Sequence, residues 1–132
     1  IMYQESSKTT IKSFTDLKAW QESHQLALMV YKITKGFPKE EMFGLIMQLR
    51  RAAVSISSNI AEGFSRNSYK DKLQFYFIAL GSTTEVQNQI LLARDLGFMT
   101  PGDFKNLAEK TVVVHKLING MIKKCRTLIP NT

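Results

Sequence analysis

The sequence predicts an all-α fold, an antiparallel up-down-up-down four-helix bundle built from amphipathic helices. Apolar residues recur at steps of three and four over four separate stretches, capping residues open those stretches, and glycine or proline closes them. With 132 residues, 44% of them hydrophobic and 22% charged, the chain has the size and composition of one globular core. Residues 1–13 lack periodicity and read as a flexible N-terminal arm, which leaves 14–129 as the bundle domain.

The first helix is expected to begin near Thr15 or Asp16, side chains that accept bonds from the free N–H groups of a first turn. Leu17, Trp20, His24, Ala27, Leu28 and Tyr31 then form its apolar side, and Gly36, with a left-handed backbone, and Pro38 stop it. Glu40 and Glu41 favour a second helix start, followed by Met42, Leu45, Ile46, Leu49, Ala53, Ile56 and Ile60 at helical spacing. That helix is expected to end near Glu62, with Gly63 just beyond it. Ser68 and Asp71 have capping-box spacing and open the third helix. Its stripe is Leu73, Phe77, Leu80, Thr84, Gln87 and Leu91, widened by Tyr76, Thr83 and Ile90, and Gly97 closes it. Thr100, Pro101 and Asp103 are the strongest start signal in the chain, and Phe104, Leu107, Thr111, Val114, Ile118, Met121, Ile122 and Cys125 share one face of the fourth helix up to Pro130. The run Val112–Val114 is read as helix because it has no partner strand. Connections of a few residues make successive helices antiparallel.

Composition narrows the function. No apolar run is long enough to span a bilayer and the N-terminal stretch is polar, so a cytoplasmic protein without membrane contact is expected. A single cysteine, Cys125, agrees with a reducing compartment. His24 and His115 have no carboxylate or second histidine at metal-ligand spacing, and Cys125 has no neighbouring general base, so no metal, cofactor or catalytic residue is expected. The formal charge of +7 favours polyanions or an acidic protein face, and its even division between the two sequence halves assigns it to the folded body.

Several residues stand out. Asn59 and Glu62 interrupt the second helix with polarity; local hydrogen bonding, with Glu62 paired to Arg66, is favoured over a ligand or subunit contact. Gly81 interrupts the third helix, at a cost of about 1 kcal/mol relative to alanine that close approach of another helix would offset. Arg50 and Arg51 are adjacent, so at most one points at the core; solvated charge is weighed against binding to phosphate or to a cross-subunit carboxylate. Lys105, Lys116, Lys123 and Arg126 fall within about 80° on a helical wheel and form a basic stripe.

Taken in order, DLKAWQ (16–21), FPKEEMFGL (37–45), QLRRAAVSISSNIAEG (48–63), ALGSTTE (79–85) and LARDLGFM (92–99) resemble the bacterial four-helix-bundle family named after proteins encoded in 23S ribosomal RNA intervening sequences. The resemblance spans about residues 14–127 and leaves the N-terminal arm outside. It implies a protomer that assembles into a cyclic homopentamer, and kinship to accessory proteins of diversity-generating retroelements, basic barrels that bind a reverse transcriptase and nucleic acid. It singles out Arg50, Arg51, Asn59, Glu62 and Gly63 and supplies no catalytic role for them.

The expectation is therefore a non-enzymatic, oligomeric basic bundle that binds RNA or DNA through Arg50, Arg51, Lys105, Lys116, Lys123 and Arg126, with Asn59, Glu62, Gly63 and Gly81 as structural or interface positions. The alternative is an interaction scaffold or accessory subunit for an acidic protein partner such as a reverse transcriptase.

Overall fold

The computed structural model describes residues 10–130; residues 1–9 of the expected arm lie outside the described part. Four α-helices make up the body: α1 (Lys18–Thr34), α2 (Met47–Phe64), α3 (Tyr69–Asp95) and α4 (Pro101–Leu128), with no strand among the described residues. Each helix packs on the next and α1 returns to α4. Ile11, Leu17, Phe64, Tyr69 and Leu128 meet at one end. Phe37 packs on Phe98 at the other, ring centroids 5.6 Å apart, so helix direction alternates. The core runs the length of the bundle through Leu26, Val30, Leu49, Ile56, Ile60, Ile90, Leu107 and Ile118, all fully buried.

The caps of α3 and α4 form as the sequence predicts. The Ser68 hydroxyl accepts the Asp71 N–H at 3.1 Å, and the Thr100 hydroxyl accepts that of Asp103 at 3.1 Å. Gly97 closes α3 at φ +77°, a left-handed conformation that lets Phe98 N–H reach Ala93 O and Gly97 N–H reach Arg94 O, each at 2.9 Å. Val112–Val114 is helical.

Helix α1 departs from expectation at both ends. Ser13, rather than Thr15 or Asp16, is the capping residue: its hydroxyl accepts Thr15 N–H while the Asp16 carboxylate accepts the N–H groups of Lys12 and Ser13. This box holds a single 3-10 turn, and α1 starts only at Lys18. At the other end Gly36 is not left-handed; Gly97 is the only positive-φ residue among those described.

The buried faces of α1 and α3 are also rotated from the predicted stripes. In α1 His24, Leu28 and Tyr31 are exposed, while Ser23, Leu26, Val30 and Thr34 are buried. In α3 Phe77, Thr84 and Leu91 are exposed, and the core face is the side expected to widen the stripe, Tyr76, Thr83 and Ile90, together with Ala79, Val86 and Ala93. The reason is chemical. Ser23, Thr34 and Thr83 donate their hydroxyls to the carbonyls four residues back, at 2.6, 2.7 and 2.9 Å, so these polar side chains enter the core already satisfied.

The predicted helix start at Glu40 is a 3-10 turn, Lys39–Glu41, followed by a wide turn over Met42–Ile46 that kinks at Gly44 (φ −109°, ψ −111°). The Glu41 carboxylate accepts Leu45 N–H at 3.2 Å in place of a ladder bond. Met42 lies outside the core, and Phe43 is 84% exposed. Gly63 also differs from its expected role. It lies inside α2, where a Cβ would stand 2.6 Å from Tyr76 Cε1, so it is a close-packing glycine rather than a terminator.

Candidate basic surface and the polar seam between α2 and α3

Where α1 ends, its last carbonyls have no helical partner. Arg50, on the first turn of α2, fills part of that need: Nε donates to Thr34 Oγ1 at 2.9 Å, Nη2 donates to Tyr31 O at 3.4 Å, and the guanidinium lies 4.6 Å from the Tyr31 ring centroid. These contacts use the planar fork and stacking face of arginine together. Arg50 is thus a fastening between two helices, which the adjacent-arginine pattern did not reveal. Arg51 is exposed and lines a groove of about 340 Å³ with Gln48, Ala52, Ser55 and Glu85.

That groove overlies a polar seam. Ser55 and Ser82 share a 2.8 Å hydrogen bond across α2 and α3, and Asn59 Nδ2 donates to Ser55 O at 2.8 Å and to its hydroxyl at 3.1 Å. Glu62 pairs with exposed Arg66 at 2.9 Å. The local-bonding reading of Asn59 and Glu62 therefore describes what these side chains do. Gly81 does not pack on another helix within the chain: nothing lies within 4 Å of where its Cβ would be. Further along α3, Gln89 is 6% exposed and its Oε1 has no hydrogen-bond partner among the described residues.

Lys105, Lys116 and Lys123 are exposed on α4. Arg126 is also exposed and lies 5.2 Å from the Phe77 ring centroid. The stripe is divided along the helix axis, because the 11 residues from Lys105 to Lys116 span about 16 Å at about 1.5 Å per residue. The charge imbalance becomes visible only in three dimensions. Residues 10–22, 58–74 and 116–130, 45 of the 121 described residues, lie toward the end of the bundle where Ile11, Phe64 and Leu128 meet and carry nine lysines and arginines against four acids, Asp16, Glu22, Glu62 and Asp71. Residues 23–57 and 75–115 carry eight against six.

The basic end holds a groove of about 330 Å³ with apolar walls from Leu17, Phe64, Met121 and Leu128 and with Lys72 and Lys124 among its lining residues. Lys72 Nζ donates to Phe64 O at 2.6 Å and Gly63 O at 3.3 Å, closing the end of α2. Burial pushes the neighbouring Cys125 thiol up, against the pull of Lys72 and Lys124. Burial, with Cys125 adding to it, raises the Tyr76 phenol to about 12. Both groups are neutral near neutral pH, and a protonated thiol is a weak nucleophile.

Both histidines have side-chain partners. Trp20 stacks on His24, centroids 4.8 Å apart, and Asn119 Nδ2 lies 3.1 Å from His115 Nδ1. No group of three or more metal-ligating side chains forms a site among the described residues, and no helix there is long and apolar enough to cross a membrane. Glu22 joins α1 to α4 through Lys110 at 2.7 Å and also pairs with Lys18 at 3.5 Å. The Lys110 hydrogen bond holds its carboxyl below the usual value, although burial opposes the shift.

A crystal structure of a protein of unknown function from the S23 ribosomal protein family of Bacteroides thetaiotaomicron VPI-5482 has this fold, with a TM-score of 0.72 at 22% identity over 80% of this chain and 95% of that one. No curated protein matches the sequence. Residues 15–120 match the 23S rRNA-intervening sequence protein family, so the match takes in all of α1, α2 and α3 and most of α4. On this match over all of α1, α2 and α3, the chain belongs to the 23S rRNA-intervening sequence protein family.

Proposed function

We propose that the chain is a non-enzymatic, oligomeric bundle that binds RNA or DNA through the lysines and arginines of its basic end. The observation that carries this reading is the excess of nine basic over four acidic side chains in the three segments at that end, with Lys116, Lys123 and Arg126 exposed along it. Lys105 lies beyond that end, and Arg50 bonds to α1. Repeating the surface in an oligomer multiplies phosphate contacts, and each neutralised phosphate steepens the dependence of affinity on salt.

Binding to structured RNA, single-stranded RNA and duplex DNA, titrated with salt, tests the reading. Wild type is expected to bind at low salt and to weaken linearly on a log–log plot, and a Lys116→Glu, Lys123→Glu variant is expected to lose most of that slope. Absence of binding at low salt to all three would refute it. A scaffold for an acidic protein partner is a second reading, favoured by the apolar groove and its Lys72 and Lys124 at the same end. A partner that stays bound after nuclease treatment, without nucleic-acid binding by the isolated protein, selects it.

A further inference from the structure

The groove at the basic end is built by all four helices: Leu17 leads into α1, Phe64 closes α2, Lys72 and Tyr76 lie on α3, and Met121 and Lys124 lie on α4. None of the described residues lining it is acidic. Its polar groups have hydrogens left to donate. Lys72 spends two of its three N–H bonds on Phe64 O and Gly63 O and keeps one. The exposed Lys124 ammonium makes no ion pair or hydrogen bond among the described residues. Tyr76 is 4% exposed, and its hydroxyl also has no hydrogen-bond partner among them. Gln89 Oε1 is the one oxygen there that is both unpartnered and sealed from solvent, so the Tyr76 hydroxyl opens on the groove that its side chain lines. With its pKa raised to about 12, this phenol is a proton donor at neutral pH.

Three donors without an acid beside them select an anion, and a carboxylate has lone pairs enough to accept from all three. The apolar walls select a hydrocarbon tail on that anion. A phosphodiester brings the charge without the tail, and a neutral alcohol brings the tail without the charge. A volume of about 330 Å³ stands at the lower end of the roughly 300–1,000 Å³ of small-molecule sites, which suits one short chain and not a two-chain lipid.

We propose that this groove binds a fatty acid, its carboxylate accepting from the Tyr76 hydroxyl between Lys72 and Lys124 and its tail lying along Leu17, Phe64 and Met121. The site goes beyond the nucleic-acid function proposed above, because Lys116 and Lys123 take no part in it.

Isothermal titration calorimetry of the full chain with decanoate, kept below the concentration at which it forms micelles, tests the site. One decanoate is expected to bind per chain. Octanoate, two CH₂ groups shorter, is expected to bind about tenfold more weakly. Decanol, which has the tail alone, and acetate, which has the charge alone, are each expected to be at least tenfold weaker than decanoate. Tyr76→Phe, with its fold confirmed by circular dichroism, is expected to weaken decanoate about tenfold and to leave decanol unchanged. Lys124→Gln, at an exposed position, is expected to weaken decanoate about threefold and carries the same test if Tyr76→Phe does not fold. Wild type that does not bind decanoate overturns the proposal. Decanol bound as tightly as decanoate overturns the carboxylate site, and decanoate affinity unchanged by the substitution tested overturns its location. A peptide with apolar C-terminal residues that displaces decanoate at lower concentration overturns the choice of ligand.

Discussion

The two sides of the bundle that hold polar groups handle them differently. Between α1 and α4 the polar contact is complete: Glu22 takes Lys110 from across the helices and Lys18 from its own, with 17% of its side chain exposed. Between α2 and α3 the small and polar residues leave valence over. Among the described residues Gln89 Oε1 has no hydrogen-bond partner, Arg51 and Glu85 make no ion pair, and nothing lies within 4 Å of a Cβ at Gly81, although Gly63 and the Ser55–Ser82 bond bring the helices close. Small residues set the distance between two helices without completing the surface beside them. A finished contact and an unfinished one thus share one fold, and the unfinished side is the one that can accept more.

Gly63→Ala should affect this contrast most. Its new methyl enters the space of the Tyr76 ring, and overpacking of this kind costs about 1–3 kcal/mol. Urea unfolding measures it, and an unchanged midpoint would show that the ring yields freely. Gln89→Met should act next and in the opposite direction. It removes a buried oxygen without a partner and is expected to raise stability by about 1 kcal/mol; a loss in the same assay would mean that the oxygen is satisfied in solution.

Lys110→Met on the finished side should have the smallest effect, a loss of no more than about 1 kcal/mol for a partly exposed pair. The same contact sets a pH dependence. Because the folded-state pKa of Glu22 lies below the ordinary 4.5, its stabilisation is present above that value and disappears as pH falls through the lowered one. Stability followed from neutral into acid should fall less in the Lys110→Met variant than in wild type, and equal slopes would remove Glu22 as the cause.

What was legible in the sequence depended on how local its cause was. The caps at Ser68 and Thr100 need partners three residues away, and both are where the sequence places them. The face of α4 was legible because most of its core positions are apolar. The face of α1 was misread because Ser23 and Thr34 are buried through hydroxyl bonds to their own helix, which a hydropathy pattern does not register; in α3 the side expected only to widen the stripe, Tyr76, Thr83 and Ile90, is the buried one. Gly63 stood out as a glycine, yet its role depends on Tyr76 in another helix.

The candidate site followed the same rule. The helical wheel grouped Lys105 with Lys116 by angle and ignored the axial distance between them. Arg50 donates to Thr34, 16 residues earlier, a partner that a local pattern does not register. The basic end draws on three separate segments, so a count over sequence halves could not detect it.

The kink at Gly44 has a consequence for how the chain tolerates change in length. It puts Phe43 out of phase with the buried series that begins at Leu45 and continues through Ile46 and Leu49. Losing one residue between Met42 and Gly44 would therefore alter which side chain projects from the bundle end while leaving the register of α2 in place. The same loss between Leu49 and Ile60 would turn the core stripe by about 100°. This connector can act as a phase adjuster, a short segment in which the outward-facing residue can vary while the helices it joins keep their alignment.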